Sequence, residues 1–139
     1  MKNMLNMKKK ISMDFDHTMT RKDVRSIAEH LISQGYEVWI ITSRYDDNYA
    51  NKQNWHWIPG QNEKVFITAE ELGITKDRII FTNRIPKIQF LEGKEFIAHF
   101  DDDVDELIAI MQSKDTCIPI NVDHSDWVKH YEDALTVKI

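Results

Sequence analysis

The sequence predicts an α/β domain: an open, mostly parallel five-stranded sheet with helices on both faces. Three observations carry this. Short apolar runs alternate along the chain with segments of helical periodicity. The strand–helix–strand order near the start is that of a βαβ unit, which implies parallel pairing and a right-handed crossover. Acidic and hydroxyl residues cluster where the apolar runs end, where such sheets place their ligands.

The first predicted strand, Ile11 to Phe15, carries Asp14 and runs on to Asp16. Alternation along a strand would point both carboxylates the same way. Two acids at a buried strand end repel each other, which is costly unless a cation or a reaction requires them. In the segment Arg21 to Gln34, Val24, Ile27, Ala28, Leu31 and Ile32 form one helical stripe, and Gly35 stops it. Val38 to Ile41 is continuously apolar and reads as a strand buried on both faces, ending at Thr42-Ser43-Arg44. Tyr45 to Gln61 is polar and aromatic, a loop with at most a short helical piece. Lys64 to Leu72 has helical periodicity and Gly73 as its stop. Arg78 to Phe81 is a short third strand, and Ile85 to Leu91 a turn or short helix containing Lys87. Phe96 to Phe100 is a fourth strand that runs into Asp101-Asp102-Asp103. Leu107, Ile108, Ile110 and Met111 mark a helix. Cys117 to Val122 is a last strand, placed at an edge because Pro119 cannot donate a ladder bond. Trp127 to Leu135 closes as a helix.

The chain has 139 residues, a single domain over 1–139, with 42% hydrophobic residues and a net charge of -5. The acidic balance argues against a general basic nucleic-acid footprint, though not against a local patch. One cysteine, Cys117, excludes an internal disulfide framework and reads as a buried strand residue in a reducing, cytoplasmic setting. No secretory signal is visible, and methionines at 1, 4 and 7 leave the start open. No segment reaches the roughly 20 apolar residues of a membrane span, so no membrane partner is expected.

Asp14, Asp16, Asp101 and Asp102 would converge on one crevice. Facing carboxylates call for a hard cation, and Mg2+ fits because it takes one or two carboxylates plus waters and phosphate. Manganese suits the same oxygens. Asp103, Asp105 and Glu106 read equally as an acidic helix start. Thr42 could hold an anion, and Lys87 could neutralise one, with Lys94 and Lys64 as competitors.

These residues resemble four ordered motifs of the haloacid dehalogenase-like hydrolase superfamily. Asp14-Phe15-Asp16-His17-Thr18 looks like its Asp-x-Asp-x-Thr motif, and Ile40-Ile41-Thr42 is similar to its second. Lys87 matches its third-motif lysine, and Phe100-Asp101-Asp102 its acidic fourth motif. The set spans residues 10 to about 107. The resemblance implies a Rossmann-like three-layer core, Mg2+ and phosphoryl transfer through an aspartyl-phosphate. Asp14 would be the nucleophile, and Asp16 the acid and then the base. Thr42 and Lys87 would bind the phosphoryl oxygens. The metal would be held by Asp14, the Asp16 backbone carbonyl and Asp101 or Asp102, with Asp103 not excluded by spacing. Asp16 speaks against the dehalogenase branch. His17 departs from the frequent glycine, as harmless variation, as a substrate contact or as a group that shifts the acidity of Asp16.

A large cap is expected to be missing, because Met19 to Gln34 is one helix and Arg44 to Pro86 is short. Open sites in this superfamily often serve large substrates, such as nucleic-acid ends or phosphoproteins, and the expected substrate is a phosphorylated small molecule or a nucleic-acid end. The Trp55-His56-Trp57 loop is the candidate specificity element, since Trp55 and Trp57 could stack on a base or pack on the core edge. Ser43 and Arg44 could contact the substrate. A second expectation is a nucleotide- or phosphoprotein-binding protein with little or no turnover. A third is phosphotransfer to an acceptor other than water. The sequence leaves the oligomeric state open.

Overall fold

Five short runs rich in apolar and β-branched residues pair into one all-parallel sheet. The computed structural model describes residues 9–53 and 60–136. The strands are β1 (Lys10–Met13), β2 (Glu37–Thr42), β3 (Ile79–Phe81), β4 (Phe96–Asp101) and β5 (Ile118–Asn121), in the order β3-β2-β1-β4-β5. The helices are α1 (Lys22–Ser33), α2 (Asp47–Lys52), α3 (Glu63–Leu72), α4 (Ile88–Leu91), α5 (Val104–Gln112) and α6 (Trp127–Thr136).

Alternation within the strands supplies two cores, one on each side of the sheet. On one side Ile11, Met13, Val38, Ile40, Ala98 and Phe100 pack with Val24, Ala28 and Leu31 of α1, Val65 and Ala69 of α3, and Trp127 and Tyr131 of α6. On the other, Ile41 and Phe96 pack with Leu91 of α4 and Ile110 of α5. The result is the Rossmann-like, three-layer arrangement expected from the pattern. Gly35 and Gly73 stop α1 and α3 at φ +93° and +77°, values that L side chains rarely adopt. β5 is an edge strand, as Pro119 requires. Cys117 is buried, one residue before β5 rather than inside it.

The chain runs from β1 through β2 to β3 on one side, then crosses to β4 and β5 on the other. The direction of winding therefore reverses between β1 and β4. A crevice opens at such a reversal, beyond the carboxyl ends of the strands. Among the described residues, no helix is long and apolar enough to cross a membrane.

Candidate active site

β1 ends at Met13, two residues earlier than the sequence pattern predicts. The Asp14 amide still donates to the Phe100 carbonyl at 2.9 Å, which ties this strand tip to β4. The chain then leaves the sheet in a single tight turn over Phe15–Met19. Within it Asp16 keeps extended angles (φ -64°, ψ 131°) and His17 takes a left-handed φ of 59°. Asp16 is therefore not a strand residue, and the turn rather than strand alternation sets its direction relative to Asp14. Asp14 is buried, whereas the Asp16 side chain is 43% exposed.

What faces Asp14 is Asp101. The Lys87 Nζ lies between them, 2.8 Å from Asp14 Oδ1 and 2.7 Å from Asp101 Oδ2. All three side chains are buried. Lys87 reaches them from the residue before α4, and its backbone amide donates to the Glu106 carboxylate. Lys64 and Lys94, the competing lysines, are exposed. Asp102 joins from the half-buried rim, where its Oδ1 accepts from the Thr18 hydroxyl at 3.0 Å. Carboxylate oxygens of Asp14, Asp101 and Asp102 lie within 4.8 Å of one another. An octahedral ion with oxygens at about 2.1 Å sets opposite ligands about 4.2 Å apart, so the donor set fits a hard divalent cation with little adjustment. The Asp16 carboxylate is not part of this group. Asp103 is occupied otherwise: it caps α5, accepting from the Asp105 and Glu106 amides.

Charge in the trio is uneven. Burial pushes Asp14 up to about 8, the Asp101 charge adds to the rise, and Lys87 opposes it. Burial would raise Asp101 too, but the His99 hydrogen bond and Lys87 hold it well below the usual carboxylate range. Burial works against the Lys87 charge, yet the two acids raise it above an ordinary lysine. Burial thus favours the protonated form of Asp14, while Asp101 and Lys87 hold their charged forms, and a divalent ion bound here would compete with that proton.

Asp16 lies in a different field. Arg44 grips both its oxygens, and this hydrogen bonding holds Asp16 below the usual carboxylate range, against its partial burial. Arg44 also donates to the Gln61 carbonyl at 2.8 Å and lies over the Phe15 ring. Thr42 is fully buried at the end of β2, and its hydroxyl accepts from the Arg44 amide at 3.3 Å. Ser43 is half-buried and His17 exposed. Asn62, a further neighbour of Arg44, lines a cavity of about 480 Å³ with Tyr49, Lys52, Phe66 and Phe81. Trp55 and Trp57 lie outside the described residues.

Two site neighbours escape the sequence reading. Glu106 sits 3.9 Å from the Lys87 ammonium, and burial raises its carboxyl above the usual range. His99, fully buried, places Nε2 2.7 Å from Asp101 Oδ2. A histidine in the apolar run Phe96-Ile97-Ala98-His99-Phe100 is the signal that would have found it.

No family model matches this chain, nor does any curated protein or solved structure. Fold and site define a class on their own terms: an open parallel α/β domain with a carboxylate–lysine crevice at its winding reversal.

Proposed function

We propose that the chain is a Mg2+-dependent phosphomonoester hydrolase of the haloacid dehalogenase-like kind, without a large cap, acting through Asp14. One observation carries the reading: Lys87 bridges Asp14 and Asp101 at the β1–β4 reversal, with Asp102 close enough to complete an oxygen cage. That set suits binding and attack on a phosphoryl group, where charge neutralisation supplies most of the rate.

In this mechanism Asp14, Asp101 and Asp102 would hold the cation, which would supply charge neutralisation for a bound phosphoryl group. Lys87 turns from the acids toward the phosphoryl group, and Thr42 with the amides after it contributes hydrogen bonds. An Asp14 oxygen attacks phosphorus while the bond to the leaving oxygen breaks. Asp16 gives that oxygen a proton. A water then attacks phosphorus, Asp16 takes its proton, and the bond to Asp14 breaks, releasing inorganic phosphate and restoring both acids. Asp16 reaches its protonated form only after Arg44 loosens, and an incoming phosphate gives the guanidinium a competing anion. The expected lack of a large cap favours an accessible phosphoester, such as a nucleotide or a nucleic-acid end, and the cavity lined by Asn62, which Arg44 contacts, offers room beside Arg44; the setting we assign is cytoplasmic.

Hydrolysis of an aryl phosphate with Mg2+ tests the assignment. The wild type should release phosphate and Asp14→Asn should not; equal rates would reject it. The Arg44 grip on Asp16 favours a second reading, a phosphate-ligand binding protein, because an ionised Asp16 has no proton to give. Tight nucleotide binding with no phosphate release under any divalent ion would select that reading.

A further inference from the structure

We propose that Ser12 and His99 are positioning residues that set the Asp101 carboxylate for a divalent cation. This rests on the cation site described above. Ser12 and His99 are register partners in the adjacent parallel strands β1 and β4. Each lies two residues before an acid of the crevice, Asp14 and Asp101 respectively, so alternation brings them to the same side of the sheet. Both are fully buried, in the two strands that flank the winding reversal.

Their hydrogen bonds form a chain with one consistent direction. An ionised Asp101 can only accept, so His99 Nε2 carries a hydrogen and donates at 2.7 Å. With the ring hydrogen on Nε2, Nδ1 is the nitrogen left to accept, and the Ser12 hydroxyl lies 2.7 Å from it. Ser12 therefore selects the tautomer, and His99 holds the carboxylate. On the other oxygen, Asp101 Oδ1 accepts from the Asp103 amide at 3.0 Å. With His99 and Lys87 on Oδ2, three of about four lone-pair directions of Asp101 are in use. The remaining direction is on Oδ1, and donors on both oxygens fix the plane that aims it.

A pair of aliphatic side chains would fill this space without the cost of burying a hydroxyl and an imidazole. The polar pair is explained by what it does for Asp101. Groups that orient metal-ligating carboxylates change metal affinity by about 10–100-fold when removed.

The test is calorimetric titration of Mg2+ into the full chain, with folding checked by circular dichroism. His99→Leu keeps the volume and removes the donor; it should weaken Mg2+ binding 10-fold or more. His99→Gln keeps an N–H donor and should stay within about 3-fold of wild type. Ser12→Ala, a smaller change that guards against misfolding of the leucine variant, should weaken binding several-fold, and Ser12→Thr should restore it. Wild-type affinity in both His99→Leu and Ser12→Ala would overturn the proposal. So would an equal loss in His99→Gln and His99→Leu, since packing would then be the cause. If the wild type takes up no Mg2+, the hydrolase reading falls as well, an outcome distinct from the other two.

Discussion

The Arg44 guanidinium holds Asp16 with two parallel bonds, Nε to Oδ2 and Nη2 to Oδ1, each 2.8 Å. This fork ties the turn after β1 to the loop after β2. Removing it should return the Asp16 carboxyl upward toward its ordinary value. Arg44→Gln is therefore predicted to raise the Asp16 titration midpoint, read by carboxyl-carbon NMR. The stability consequence has a definite sign. A depressed folded value means that the pair contributes above the unfolded carboxyl value and loses its contribution as pH falls through the folded one. The pair is partly exposed, so its loss should cost less than about 1 kcal/mol and shrink further in high salt.

Lys87 acts as the internal cation of the crevice. Lys87→Met leaves Asp14 and Asp101 facing each other with no positive charge between them. Truncating one partner of a buried ionic group commonly costs about 3–5 kcal/mol. The variant should lose about that much stability in chelator, measured by urea unfolding. Saturating Mg2+ should return a larger share of stability to the variant than it adds to wild type, because the ion replaces the missing charge. An equal Mg2+ increment in both proteins would show that Lys87 does not neutralise this site.

Asp14 gives a pH dependence of the opposite sense to Asp16. Its carboxyl moves from 3.8 when unfolded to about 8 when folded. Between those values the folded chain binds more protons than the unfolded one, so stability falls as pH rises. One proton sets a slope of at most about 1.4 kcal/mol per pH unit. Asp14→Asn has no proton to lose. Without metal it should be more stable than wild type at pH 8 and show a flatter profile between pH 5 and 8. Denaturant titrations in chelator across that range check it.

The sheet was largely legible because each strand is an apolar run closed by a polar residue, and burial on both faces needs little else. The β1–β4 convergence of Asp14 and Asp101 followed from the rule for ligand sites in such sheets. The Asp16 orientation was not legible: strand periodicity continues in the sequence through Phe15, but pairing stops at Met13 and the chain turns. His99 and Ser12 were hidden for a related reason. A single polar residue in an apolar strand has no partner until the register between strands is known, and that register is a tertiary fact. Glu106 looked like part of an acidic helix start, a role that Asp103 fills by capping α5. Lys87 was the lysine matched to the third motif, and the folded chain buries it while leaving its competitors Lys64 and Lys94 exposed.

His17 holds φ at 59° in the turn that carries Asp16, a conformation in which a Cβ is crowded. A glycine would take this φ without that crowding. His17→Gly should relieve about 1 kcal/mol of strain, offset by the greater freedom of glycine in the unfolded chain. The net prediction is stability unchanged or up to about 1 kcal/mol higher. His17→Val, β-branched at the same φ, should lose more than about 1 kcal/mol. Thermal unfolding of both variants measures this ordering. The exposed imidazole acts on Asp16 through its charge, a smaller effect than the Arg44 hydrogen bonds, so kcat/KM of His17→Gly on an aryl phosphate should stay within about twofold of wild type. A tenfold fall in that ratio with unchanged stability would instead assign His17 to substrate recognition.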